Sequence, residues 1–182
     1  MYWDVVIAGF GGQGVLFGGR VLAHAGLLDG LEVAWLPSYG PQMRGGTANC
    51  TVILSDQPIH SPVVRHPFGL IALNGPSLDE FEARLKAGAI IVVNSSLVGR
   101  PTLRADARSI EVPASEIAKR MGTVRVANLV ALGAYVGGTR CVSTASIEAA
   151  LAKLIPESRA DMRRLNTAAF REGAAYGEAA LR

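Results

Sequence analysis

Short apolar runs alternate along this chain with longer segments in which apolar residues recur at three- and four-residue steps. The runs are the pattern of buried strands and the longer segments that of helices with one buried face. Residues 4–8, Asp-Val-Val-Ile-Ala, form a β-branched run ending at Gly9 and predict a buried first strand. From Gln13 onward Val15, Gly18, Gly19, Leu22, Ala25 and Gly26 repeat at helical spacing, and Asp29-Gly30 closes that helix as a turn. Strands are expected at residues 32–36, stopped by Pro37, and at residues 49–54, stopped by Ser55-Asp56-Gln57-Pro58. Two more apolar runs occupy residues 69–73 and 89–93. Between them a helix is expected over residues 78–86, capped at Ser77 and ended by Gly88. Residues 115–121 predict a short helix after Pro113, and Asn128 reads as the cap of a helix over residues 129–136. A helix from Ser143 or Thr144 through Leu154 is ended by Pro156. The tail over residues 159–181 is helical, with Met162, Leu165, Ala169 and Ala174 as its expected inner face. Strands alternating with helices predict an α/β fold, a doubly wound and mostly parallel sheet with helices on both faces, Rossmann-like in kind.

Composition narrows the picture. The 182 residues suit one domain over 1–182, and 49% hydrophobic with only 6% aromatic residues asks for a core of Val, Ile, Leu and Ala. Mean hydropathy is +0.28, yet Gly, Pro or a charge breaks every apolar run before the ~18 residues a membrane span needs. No basic segment precedes the first apolar run, and Gly9 to Gly14 interrupts any signal-peptide core, so the expectation is a cytoplasmic protein without a membrane role. The net charge of +3 is mild. Arg100, Arg104, Arg108, Lys119, Arg120 and Arg125 stand against Asp106, Glu111 and Glu116, without the dense basic stripe and interleaved aromatics that nucleic acid would require. An anionic small ligand or an acidic partner fits that bias better. Cys50 and Cys141 are the only cysteines, too few for an iron–sulfur cluster, and His24, His60 and His66 show no metal-ligand spacing. No metal site is expected.

Gly9-Phe10-Gly11-Gly12-Gln13-Gly14 satisfies G-x-G-x-x-G between a strand and a helix start, where a bare backbone can approach a phosphate. Close packing alone would also explain such glycines. A dinucleotide-binding domain should carry an acid at the end of its second strand, but that strand ends Trp35-Leu36-Pro37-Ser38 and Glu32 lies at its beginning. A second block, Pro37-Ser38-Tyr39-Gly40-Pro41-Gln42-Met43-Arg44-Gly45-Gly46-Thr47-Ala48-Asn49-Cys50, is too polar and too rich in special conformations for a mere connection. Arg44 there offers a forked donor to a carboxylate or phosphate, or an intersubunit salt bridge. Cys50 reads as core, with no histidine neighbour to activate it. No residue has a claim to be a general base. The binding candidates are Gly9, Gly11, Gly12, Gln13, Gly14, Ser38, Tyr39, Gly40, Arg44, Gly45, Gly46, Thr47 and Asn128.

Taken together, residues 9–15, the block from Ser38 to Thr51, and Asn128-Leu-Val-Ala-Leu-Gly-Ala134 resemble the gamma subunits of 2-oxoacid:ferredoxin (acceptor) oxidoreductases, nearest the 2-oxoglutarate and branched-chain 2-oxoacid types. One departure is Gln42, where the resemblance leads to the expectation of Glu; if that Glu pairs with Arg44, the pairing is weaker here. The resemblance implies an enzyme that decarboxylates a 2-oxoacid with thiamine diphosphate, passes electrons through iron–sulfur clusters to ferredoxin and forms an acyl-CoA. This chain has neither a Gly-Asp-Gly segment for the diphosphate's magnesium nor a cysteine cluster. Those groups are implied to sit on alpha and beta subunits, with a ferredoxin-like delta subunit as an option. The isolated chain would be inactive, with a homodimer as an option when isolated. Coenzyme A is the ligand the resemblance offers for the glycine turn and the Tyr39 to Thr47 loop. The rival readings are a free-standing NAD(P)- or flavin-dependent oxidoreductase and a non-catalytic scaffold.

Overall fold

A computed structural model describes residues 1–39 and 47–181. Among these residues the chain runs β1 (Tyr2–Phe10), α1 (Val15–Leu28), β2 (Glu32–Tyr39), β3 (Thr47–Ser55), β4 (Gly69–Ala72), α2 (Gly75–Phe81) and β5 (Ile90–Asn94). It continues with β6 (Arg108–Val112), α3 (Ala114–Arg120), α4 (Ala127–Thr139), α5 (Thr144–Leu154) and α6 (Ala160–Ala180). The strands form one sheet in the order β2-β3-β1-β4-β5-β6. Parallel pairing joins β1 to β4, β4 to β5 and β5 to β6, whereas β3 lies antiparallel to both β1 and β2. Only β3 therefore opposes the common direction, and the sheet is mixed and mostly parallel.

Strand alternation divides the core in two. Val5 and Ile7 of β1, Ile71 of β4, and Ile90 and Val92 of β5 face a large cluster with α1, α3, α4, α5 and α6. Val6, Ala8, Leu70, Ala72, Ile91 and Val93 face a smaller cluster closed by Leu78 and Phe81 of α2 with Leu85 and Val98. Every residue of β4 and β5 is buried, as a central strand covered on both faces requires. Helices do cover both faces, but unequally, with α2 the only described α-helix on the second.

Several boundaries differ from the sequence reading. Pro37 does not stop β2, because β2 is an edge strand and an edge tolerates a missing donor. The helix expected over residues 78–86 begins at Gly75, with Asn74 as cap in place of Ser77: the Asn74 side chain accepts from the Ser77 N–H at 2.9 Å, and Pro76 occupies the first turn. It ends at Phe81, and a 3-10 turn over Glu82–Arg84 follows. Strand β6 was not expected at all. On α6 the inner face is Asn166, Ala169, Phe170, Gly173, Ala174 and Gly177, while Met162 is exposed.

Candidate functional site

The glycine turn forms where β1 hands over to α1. The Gln13 N–H donates to the Phe10 carbonyl at 3.1 Å, and the Gln13 Oε1 accepts from the Phe10 N–H at 2.6 Å, so one side chain closes the turn from both directions. Gly12 and Gly14 have φ of 92° and 76°, a region glycine enters without penalty. A Cβ on Gly14 would stand 2.5 Å from the Asn128 Nδ2. Gln13 Oε1 also accepts from the Asn74 Nδ2 at 2.9 Å, which ties the turn after β1 to the cap of α2. Beside it, Asn94 at the end of β5 donates to the Leu73 carbonyl at 3.2 Å and to the Ser115 Oγ at 2.9 Å, and accepts from the Ser115 N–H.

Asn128 is not the helix cap expected from the sequence. It is the second residue of α4, whose cap position is Val126, and it is buried. Its Nδ2 donates to the Gly14 carbonyl at 3.0 Å, while no partner for its Oδ1 exists among the described residues. Asn128 therefore braces the glycine turn from behind.

The polar block of β2 and β3 arrives at the same end of the molecule. Phe10 pairs with Thr47 across β1 and β3, and Ser38 and Tyr39 pair with Asn49 and Ala48 across β2 and β3. Ser38 and Thr47 are exposed there. Gly40, Gln42, Arg44, Gly45 and Gly46, with the Tyr39 side chain, lie outside the described residues. Glu32 pairs with Ser55 at the opposite end of the sheet, and Ser55 in turn with Tyr2, so it is remote from the glycine turn. Cys50 is core: it is fully buried and burial pushes its thiol up to about 11, which keeps it protonated and inert at neutral pH.

The glycine turn opens onto a cleft of about 360 Å³ lined by Gly12, Gln13, Asn94, Ser96, Ser115 and Lys119, with Arg125, Glu116, Leu97 and Val124 at its sides. The cleft lies beyond the carboxyl ends of β1, β4 and β5. There the chain order reverses, α1 leading from β1 toward β2 and β3 on one side while β4 flanks β1 on the other. Ligands of open α/β sheets bind in such a crevice. Asn94, Ser96, Ser115, Lys119 and Arg125 were absent from the sequence candidates. The available signal was a single polar residue directly after an apolar strand, in Leu73-Asn74 and Val93-Asn94. A shallower depression of about 570 Å³ lies between α5 and α6, but its Arg163 and Arg171 are already paired with Glu157 and Glu148.

Fold and site define an α/β protein of the nucleotide-fold kind, with a glycine turn at a switch-point cleft. The chain belongs to the pyruvate ferredoxin/flavodoxin oxidoreductase family, whose pattern matches residues 4–176. It is 33% identical over 173 residues to the 2-oxoglutarate synthase subunit KorC of Methanocaldococcus jannaschii, covering 93% of this chain and 91% of that protein. To the ketoisovalerate oxidoreductase subunit VorA of Methanothermobacter thermautotrophicus it is 47% identical over 129 residues, 71% of this chain but only 27% of that longer protein. The crystal structure of the keto/oxoacid ferredoxin oxidoreductase gamma subunit from Geobacter sulfurreducens superposes with a TM-score of 0.87 at 33% identity, over 99% of this chain and 98% of that one. No described helix is long and apolar enough to cross a membrane.

Proposed function

We propose that residues 1–182 act as one gamma-type subunit of a thiamine diphosphate-dependent 2-oxoacid:ferredoxin oxidoreductase, with 2-oxoglutarate the favoured substrate. Similarity to KorC along nearly the whole of both chains supports the 2-oxoglutarate assignment over the branched-chain one, because the VorA likeness covers only part of a longer protein. Thiamine diphosphate, magnesium and the iron–sulfur clusters belong to alpha and beta partners and an optional ferredoxin-like subunit, and the reaction yields acyl-CoA, CO2 and reduced ferredoxin in the cytoplasm. The gamma subunit's share is to help receive coenzyme A. One observation supports that share: Thr47, the first residue of β3, pairs with Phe10 at the carboxyl end of β1, beside the glycine turn. Gly9, Gly11, Gly12 and Gly14 give backbone access to a phosphate, Gln13 holds the turn, and Ser38, Tyr39, Arg44 and Thr47 supply donors from the neighbouring loop.

Affinity purification of the tagged chain from its native host, with mass spectrometry and a coenzyme A-dependent 2-oxoacid oxidation assay using an artificial dye, tests this. Co-purification of thiamine-binding and ferredoxin-like chains with 2-oxoglutarate-dependent dye reduction is the expected result. A chain recovered alone, without 2-oxoacid-dependent activity, overturns the subunit reading.

A further inference from the structure

We infer that the switch-point cleft takes the phosphorylated, nucleotide-like end of a ligand, with Lys119 and Arg125 pairing its negative charge; the choice of coenzyme A as that ligand rests on the function proposed above. Among the described residues Arg100 pairs with Asp79 and Glu82, Arg104 with Asp106, and Lys86 with Asp4. Lys119 and Arg125 make no ion pair among the described residues, although both line one cleft. Glu116 is the only acid in that lining, so the cleft is net positive. A concave site with low-dielectric walls concentrates such a potential more than two cations on a convex surface would.

The floor adds directional donors. Gln13 spends its Oε1 on Phe10 and Asn74, which leaves its Nε2 without an acceptor among the described residues while the side chain lines the cleft. The N–H groups of Gly12 and Gly14 likewise have no acceptor there, and a Cβ on Gly12 would meet nothing within 4 Å, so the backbone is open to approach. Ser96 and Ser115 bring hydroxyls, and Ser115 is held in place by Asn94. Leu97 and Val124, 51% and 52% exposed, provide apolar sides against which a flat base can lie. About 360 Å³ is within the range of small-ligand clefts. Cations at the rim, donors on the floor and apolar sides match the mixture of charge and flat apolar surface in a phosphorylated nucleoside.

The test is binding to the full chain, and in parallel to the assembled complex, of coenzyme A, 3′-dephospho-coenzyme A and inorganic pyrophosphate. The proteins are the wild type, Lys119→Gln, Arg125→Gln and the remote control Lys153→Gln, each checked for fold by circular dichroism. Lys119 and Arg125 are exposed, so the substitutions leave the core untouched. Each cleft substitution should weaken coenzyme A about tenfold, the loss of one charge-assisted contact, and Lys153→Gln should not. Unchanged coenzyme A binding in both variants overturns the inference and leaves the coenzyme A reading standing. Pyrophosphate bound by the wild type and lost in both variants, with no binding of coenzyme A, upholds the inference and sinks coenzyme A as the ligand. No binding of any probe to either preparation overturns it.

Discussion

Gly14 carries two constraints at once. Its φ of 76° would strain any L side chain, and its missing Cβ leaves the room that the Asn128 amide occupies. The two contributions are separable. Gly14→Ala should lower unfolding stability by about 2–3 kcal/mol, from a left-handed alanine together with the clash. Asn128→Ala removes one buried hydrogen bond to the Gly14 carbonyl, which still accepts from the Gly18 N–H at 2.9 Å, and should cost about 1 kcal/mol. In the double variant the clash has no second partner, so the two losses should add to less than their sum in urea unfolding. Full additivity would show that the amide does not press on the turn. At the same scale, Gln13 was read from the sequence as part of a phosphate loop and serves first as the clasp that closes it, its oxygen engaged twice.

Helices α4 and α6 pack through glycines, which lets the two backbones approach closely. A Cβ on Gly173 would stand 2.7 Å from the Val130 carbonyl carbon, and one on Gly133 would stand 2.8 Å from the Ala174 nitrogen. Alanine at an exposed helical site usually gains about 1 kcal/mol over glycine. Here Gly173→Ala should instead lose about 2–3 kcal/mol, because backbone cannot swing aside as a side chain can; a thermal shift equal to that of the control Gly99→Ala would contradict the packing. Asp29 joins the end of α1 to the start of α5 by accepting from the Ser143 N–H and from the hydroxyls of Ser143 and Ser146. Burial alone would raise its pKa, but these hydrogen bonds outweigh burial and hold it below the ordinary 3.8. The folded pKa is the depressed one, so the contribution is complete above the unfolded value and is lost as pH falls through the folded value. Denaturant titrations from pH 5 to pH 2.5 should show a steeper loss for the wild type than for Asp29→Asn. Periodicity made most of these elements legible, since the buried faces of α1, β4 and β5 are written in runs of Val, Ile, Leu and Ala. It missed β6, whose sequence Arg-Ser-Ile-Glu-Val buries only Ile110 and Val112. It misplaced Asn128 because a cap and a buried amide look alike until the partner, 114 residues away, is known. The cleft was legible only in half: its glycines form a contiguous motif, while Asn94 at the end of β5, Ser115 and Lys119 on α3, and Arg125 beyond it are brought together only by the fold, the two cations showing in the sequence as no more than a mild positive bias.

At the scale of the whole molecule, strand order determines which ligands the glycine turn can accept. In a dinucleotide-binding sheet the second parallel strand lies directly beside the first, and an acid at its carboxyl end holds the ribose hydroxyls. Here antiparallel β3 occupies that position, and the residue it brings beside Phe10 at the end of β1 is Thr47, the start of β3. The sequence argument against NAD(P), the missing acid after Trp35-Leu36, thus has a topological basis: no carboxyl end of a parallel strand lies next to β1 on that side. The same insertion brings Thr47 beside Phe10, and Ser38 across from Asn49, so the feature that removes the ribose acid sets polar strand ends at the glycine-turn end of the sheet. Titration of the full chain with NADH or NADPH, followed by cofactor fluorescence, should therefore give no saturable binding at micromolar concentrations. Saturation with a dissociation constant of about 10 µM or tighter would mean that the turn holds a dinucleotide without that acid, and would favour the free-standing dehydrogenase over the gamma subunit.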